Sequence, residues 1–251
     1  MTARGAPAAA IMAAIALAAW PASAQMAASN ATPSAPFGMP MENTVYFHAV
    51  LNQLEGRFGT GSSFRWSGEA WAGGDTDRLW LKSEGEVNSR GEVEDGQQEV
   101  FYDRPVTSYF DLQAGLRSDV DSRAGRTWAA FGVQGLAPYF LQVSATAYAS
   151  DSGRYAAKLE GSTDLLITQR LILQPQIEMN IYTKADAARG VGSGLSDLDA
   201  GLRLRYEISR KFAPYIGVVY AGKYGATANF ARAAGERSGG LQFVFGVRAW
   251  L

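Results

Sequence analysis

The most constraining feature of this sequence is a repeated alternation of charged and uncharged residues, carried by about twelve strand-like segments after residue 44. In one of these segments, Leu79 and Leu81 alternate with Lys82, Glu84 and Glu86. A soluble barrel buries its apolar face, whereas a barrel in lipid presents that face to hydrocarbon and holds water and charge inside. The alternation therefore predicts an all-β fold: a closed antiparallel up-and-down transmembrane β-barrel in a bacterial outer membrane.

Composition narrows the alternatives. With 251 residues, 47% of them hydrophobic, the chain is long enough for one large domain. After the first residues there is no run of about 20 apolar residues, so we expect no membrane-spanning helix. The net charge of -1 lacks the basic excess of a nucleic-acid-binding protein, and the absence of cysteine excludes disulfides and thiolate metal sites.

The N-terminal residues are typical of a secretory signal peptide. Arg4 precedes an Ala-rich apolar segment, and Ala22-Ser23-Ala24 is an A-x-A cleavage sequence, so the mature chain is expected to begin at Gln25. The next stretch is rich in Ala, Ser, Pro and Met without periodicity, which predicts a flexible tail. The expected organisation is a signal peptide at 1–24, a Met-containing tail at 25–43 and a barrel at 44–251.

The predicted strands are separated by connections of two kinds. The expected strands are 45–57, 63–72, 78–88, 97–104, 109–119, 126–136, 139–149, 154–166, 171–182, 195–207, 213–222 and 240–251. Tight turns alternate with connections that include long loops at 89–96, 183–194 and 223–239. Outer-membrane barrels have short periplasmic turns and long outer loops, so this pattern and the even strand number place both termini in the periplasm.

Two segments leave the local structure open. The first predicted strand, 45–57, also fits a short helix at the barrel mouth, because Phe47, Val50, Leu51 and Leu54 form a helical stripe. Pro175 lies in the middle of a predicted strand and has no N–H to donate to the ladder. We expect a bulge or a local gap in the sheet there.

The face assigned to the barrel interior carries both signs of charge. Its expected lumen-lining residues are Lys82, Glu84, Glu86, Asp111, Arg117, Glu160, Glu178, Asp199 and Arg203. Charges inside a barrel must be paired or hydrated, so one interpretation is a structural ion-pair network that plugs the lumen. The other is a narrow polar conduit whose carboxylates attract cations. A barrel of about twelve strands lies between the filled and the open sizes, and both interpretations stay open.

Candidate metal ligands are few. Met39 and Met41 precede His48, which is the only histidine of the chain. Thioether and imidazole together suit copper, especially Cu(I), where thiolates are absent. The alternative is a tail with two chance methionines and a packed histidine. Because no G-x-S-x-G or H-E-x-x-H motif accompanies His48, we expect no enzymatic activity.

Several motifs in order resemble those of the copper resistance protein B family. They are Trp71 to Asp75, Arg78 to Lys82, Glu84 to Glu86, Asp111 to Arg117, Gly135 to Tyr139, and Thr168 to Pro175 with Glu178. The resemblance covers roughly residues 44–251. It implies an outer-membrane barrel of a copper-resistance system, with copper ions and a periplasmic multicopper oxidase as partners.

The resemblance strengthens the assignment of Met39, Met41 and His48 as copper ligands. The oxidation state of the bound copper stays open. The Met- and His-rich N-terminal segment of other family members is reduced here to three methionines in residues 25–43, without histidine. This difference favours a single copper site, or a binding role for the lumen carboxylates, over high-capacity storage. The competing expectation is a small non-specific porin or a structural barrel without metal selectivity.

Overall fold

The computed structural model describes residues 45–59, 61–120 and 125–250. The predicted signal peptide and tail, with Met39 and Met41, lie outside the described residues. The strands are β1 (Tyr46–Phe58), β2 (Ser62–Gly73), β3 (Arg78–Asn88), β4 (Gln97–Pro105), β5 (Phe110–Asp119), β6 (Arg126–Ala137), β7 (Leu141–Ser150), β8 (Tyr155–Ser162), β9 (Leu165–Leu166), β10 (Leu171–Tyr182), β11 (Gly194–Tyr206), β12 (Phe212–Lys223) and β13 (Gly239–Trp250). Within these ranges the α-helix α1 covers Gly225–Ala233, and two 3-10 turns cover Pro138–Phe140 and Ala187–Arg189.

The strands form a closed antiparallel barrel. The last strand, β13, pairs with β1 in a register that runs from Phe58 opposite Phe243 to Val50 opposite Trp250. The short β9 and the longer β8 both pair with β10, so together they make one interrupted strand of a twelve-stranded barrel. The predicted barrel is therefore confirmed. The alternative helix at 45–57 is wrong, because β1 has hydrogen-bonded neighbours on both sides that satisfy its backbone groups.

The interruption between β8 and β9 lies opposite Pro175. Ser162 pairs with Gln176 and Leu165 pairs with Leu173, but the ladder is broken between these pairs. Proline cannot donate a ladder hydrogen bond, although the Pro175 carbonyl still accepts one from the Thr163 N–H at 3.2 Å. The expected irregularity at Pro175 is thus a local gap, and the register continues unchanged on both sides.

The two faces of the wall have opposite exposure. On β13, Leu241 is 67% and Phe243 71% exposed, whereas Gln242 between them is 9% exposed. Inside the barrel, Glu55 and Arg57 are 0% and 1% exposed. Exposed apolar side chains around a buried charged interior are the arrangement of a barrel whose outer surface contacts lipid.

Three polar side chains on the outer face are hydrogen-bonded to one another. Trp66 lies on this face above Gly85, where an added Cβ would come within 2.4 Å of the indole ring. The Trp66 indole N–H donates to the Ser83 hydroxyl at 3.2 Å, and the Gln98 amide donates to the same oxygen at 2.8 Å. These bonds matter because hydrocarbon offers no partners for polar groups.

The barrel ends differ in the length of their connections. Tight turns join the strands at the end where β1 begins, and the long connections lie at the opposite end. Helix α1 belongs to the longest of them and was not predicted from the sequence. Its Thr227 hydroxyl accepts a hydrogen bond from the Gly192 N–H at 2.8 Å, which fastens α1 to the β10–β11 loop. No helix within the described ranges is long and apolar enough to cross a membrane.

Candidate functional site: the charged lumen

Two of the cavities bounded by described residues lie in the lumen on either side of its middle. The inner cavity, of about 410 Å³, lies towards the tight turns and is lined by Glu69, Lys82 and Glu160 among others. The outer cavity, of about 250 Å³, lies towards the long loops and includes Glu86 and Asp197 in its lining. Glu84 lines both cavities, so the side chains around it mark the boundary between them.

A layer of ion-paired side chains lies at this boundary, and we call it the central belt. It consists of Glu55, Arg57, Arg65, Glu84, Glu86, Lys158, Glu160, Glu178, Asp199 and Arg203. Six of these side chains are carboxylates and four are cationic, so the belt has an excess of negative charge. Such an excess favours cations over anions in a pore.

One half of the belt is built around Glu55. The Arg203 guanidinium donates two hydrogen bonds to this carboxylate, both at 2.9 Å, and Arg57 Nε donates a third at 2.9 Å. The Tyr215 hydroxyl donates another at 2.9 Å. Arg57 also reaches Asp199, with 2.6 Å between Nη1 and Oδ2. The fully buried Glu55 thus has several charge-assisted partners, which a buried carboxylate requires.

The other half is built around Lys158 on β8. Its ammonium is hydrogen-bonded to Glu84 and lies 3.2 Å from Glu160 Oε1 and 3.5 Å from Glu178 Oε1. One oxygen from each of the three carboxylates falls within 4.8 Å of the others, which is close enough to hold a metal ion. Arg65 completes this half through a 2.6 Å contact with Glu178. All-oxygen ligands suit hard cations better than Cu(I).

Arginines tie the β10–β11 loop across the outer mouth. Asp186 in this loop accepts a hydrogen bond from Arg126 at 2.5 Å and a second from Arg154. Arg189 in the same loop lies 3.4 Å from Asp119 at the end of β5. Burial acts to raise the pKa of Asp186, but the two arginine hydrogen bonds outweigh it and hold that pKa below its ordinary value.

His48 lies at the opposite, inner mouth. It stands opposite Trp71 in the β1–β2 register, with 6.1 Å between the ring centroids. Two positions further along, Val50 stands opposite Glu69, and these residues point to the same side of the sheet as His48 and Trp71. Glu69 lines the inner cavity. The imidazole is therefore on the lumen side of the wall, close to where the chain enters the barrel. The Arg78 guanidinium lies 5.3 Å from the Trp71 ring.

The structure places the predicted lumen residues in three groups. The central belt contains Glu84, Glu86, Glu160, Glu178, Asp199 and Arg203. Lys82 and Asp111 line the inner cavity, where Asp111 pairs with Arg78 at 3.4 Å. Arg117 lies nearer the outer mouth and pairs with Asp119 at 2.8 Å. Met39 and Met41 are outside the described residues, so the structure does not place them beside His48.

Sequence reasoning missed Glu55 and Arg57, the most buried charges of the belt. Both lie in the first strand, where the competing helical stripe obscured the alternation. A register shift between Leu51 and Gln53 adds one residue to β1 and changes which positions face inward. The usable signal was the Gln53, Glu55, Arg57 series, which alternates with Leu54 and Phe58 around Gly56.

A closed barrel with an apolar outer wall and a charged interior is an outer-membrane β-barrel. The fold is similar to that of the NanC porin, with a TM-score of 0.51 and 14% identity, over 81% of this chain and 99% of that one. The family model of the copper resistance protein B precursor matches residues 45–251. The chain therefore belongs to the copper resistance protein B family.

Named relatives agree with this assignment. The chain is 45% identical to copper resistance protein B of Escherichia coli over 210 residues, which are 83% of this chain and 71% of that protein. It is 48% identical to the copper resistance protein B homolog of Pseudomonas syringae pv. tomato (strain ATCC BAA-871 / DC3000), with the same coverage. Both matches are about as long as the segment 45–251 that the family model covers. The protein is accordingly located in the bacterial outer membrane.

Proposed function

We propose that this barrel binds copper and helps copper homeostasis or passage across the outer membrane. The observation that carries the proposal is membership of the copper resistance protein B family over the complete barrel. The excess of carboxylates in the central belt agrees with it, because a negatively charged lumen attracts a metal cation electrostatically.

We propose Met39, Met41 and His48 as the copper ligands at the inner mouth. His48 lies on the lumen side of β1, and the two methionines precede it by nine and seven residues. A chain spans at most about 3.3–3.6 Å per residue, so both thioethers are within reach of the imidazole. Two thioethers and one imidazole form a soft donor set that suits Cu(I).

The remaining roles follow from the same family. We propose a periplasmic multicopper oxidase of the same resistance system as a partner, since the inner mouth is surrounded by tight turns, which are typical of the periplasmic end of an outer-membrane barrel. We also propose that the barrel is not an enzyme, because the charged groups of the central belt, all of them in the described part of the chain, are engaged in ion pairs with one another.

Copper titration of the purified barrel tests the proposed ligands. The variant M39L/M41L/H48A should lose the tightest Cu(I)-binding event, measured by competition with a chromogenic Cu(I) chelator, because all three soft donors are removed. The matched control is M179L, since Met179 on β10 lies opposite Leu159 and Leu198 on the wall and not near the mouth. An unchanged titration in the triple variant would remove the proposed site.

A small non-specific porin is the second candidate, favoured by the two polar cavities in the lumen. It predicts similar conductance for copper and zinc in a reconstituted bilayer and no copper-sensitive growth when the gene is deleted. The copper-handling proposal predicts that copper and zinc differ in conductance and that deletion changes growth on copper.

A further inference from the structure

We propose that Lys158 controls cation passage between the two cavities by occupying, with its own ammonium, the position that a crossing cation must take. This inference rests on the proposed function, because it concerns transit through the same lumen. It concerns any small cation, however, and it does not depend on the copper ligands at the inner mouth.

The ammonium of Lys158 joins the two cavities. Glu160, 3.2 Å from Nζ, lines the inner cavity, and Glu178, 3.5 Å from Nζ, lines the outer cavity. Glu84 lines both and is hydrogen-bonded to the same ammonium. A cation that moves from one cavity to the other along these carboxylates therefore meets a position already filled by positive charge. Lys158 is only 4% exposed, which leaves little space beside it.

Lys158 differs from the arginines of the belt in the chemistry of its charged group. Arg203 is fixed by two parallel hydrogen bonds to Glu55, and Arg57 is fixed between Glu55 and Asp199. A guanidinium is a rigid planar fork, whereas a lysine carries a compact charge on a flexible four-carbon stem. Lys158 is the one lysine among the four cations of the belt, so its ammonium can move away from the three carboxylates by rotation about its own stem.

The negative charge of the belt explains why a mobile cation can replace the Lys158 ammonium. When the ammonium withdraws, Glu84, Glu160 and Glu178 are left with oxygens within 4.8 Å of one another and repel. A mobile cation relieves this repulsion in the same way as the ammonium does. The lysine and the travelling ion therefore compete for one position, which closes the belt to anions and slows cations.

Conductance of the full barrel in planar bilayers with a KCl gradient tests the proposal. We expect K158Q to raise K⁺ conductance on the order of ten-fold and to increase the preference for K⁺ over Cl⁻, because the tethered positive charge is gone. The comparison variant is K82Q, which removes a positive charge from the inner cavity, where Nζ is hydrogen-bonded to the amide oxygens of Gln113 and Gln134 and lies 5.3 Å from the Phe101 ring. We expect a smaller change for K82Q.

Folding is checked by heat-modifiable migration on a gel. If K158Q does not fold, E84Q/K158Q removes one carboxylate together with the ammonium and keeps the net charge of the belt; it should also conduct more K⁺ than the wild type. Wild-type conductance in the folded variant would overturn the proposal, and so would an equal rise in K⁺ and Cl⁻ currents. The copper titration above reports on the proposed function separately, since K158Q leaves Met39, Met41 and His48 in place.

Discussion

The outward and inward faces of the barrel wall differ in polarity and in exposure. On β13 the outward Phe243 is 71% exposed, while on β1 the inward Glu55 is completely buried. In water this arrangement is unstable, because apolar area would be hydrated and charges would be desolvated. In a bilayer the outward face is covered by hydrocarbon, and the inward charges satisfy one another. The contrast shows that the stability of this fold depends on the hydrocarbon that covers its outer face.

The two faces also differ in how they specify structure. The outer face needs only apolar side chains, and almost any apolar residue meets that requirement. The inner face depends on particular pairs, such as Arg65 with Glu178 at 2.6 Å and Arg203 with Glu55 at 2.9 Å. A substitution inside the barrel should therefore depend on its partners, whereas one outside should depend on its depth in the bilayer.

The largest expected effect comes from removing a buried charge inside. Glu55→Ala leaves Arg57 and Arg203 without their shared carboxylate and should lower the free energy of unfolding by about 3–5 kcal/mol. The measurement is denaturant unfolding of the barrel in phospholipid vesicles, followed by tryptophan fluorescence. The control is Glu92→Ala, which removes the exposed pair of Arg90 and Glu92 and should cost about 0–1 kcal/mol. Equal losses in the two variants would contradict the partner-dependent interior.

A smaller effect is expected on the outer face. Phe131 is 54% exposed near the middle of β6, so Phe131→Arg should cost about 2–4 kcal/mol in the same vesicles, because it places a charge in hydrocarbon. Its counterpart is Ser144→Arg on the neighbouring β7, where the side chain enters the inner cavity opposite Glu160. We expect a smaller loss there. A larger loss for Ser144→Arg than for Phe131→Arg would reverse the assignment of the two faces.

Much of this architecture is predictable from the sequence because alternation is a local signal. Eleven of the twelve predicted strands match single strands, and the twelfth is divided into β8 and β9 opposite Pro175. The ion-pair partners inside the barrel, in contrast, cannot be predicted from a local signal. Lys158 contacts Glu84 although 74 positions separate them in the sequence, and Arg203 contacts Glu55 across 148 positions. These contacts depend on barrel closure and strand register. Alternation gives the face of a residue and not its partner.

The loops were the least predictable part. Helix α1 is short, and its position is fixed by tertiary contacts such as the bond between Thr227 and Gly192 and not by a strong amphipathic pattern. The arginines that bind Asp186 come from β6 and from the β7–β8 loop, which only the folded barrel brings together. The extra residue of β1, which turns Glu55 and Arg57 inward, likewise depends on pairing with β2.

The most direct test of the central claim is the lipid and water exposure of successive positions on β3. The chain has no cysteine, so single cysteines at positions 79 to 84 can each carry a nitroxide label without background. In vesicles, labels at Leu79 and Leu81 should collide mainly with oxygen, which concentrates in hydrocarbon, whereas a label at Lys82 should be shielded from it. A two-residue period in oxygen accessibility with maxima at 79 and 81 is the predicted result. Oxygen accessibility at 82 equal to or above that at 81 would contradict the account.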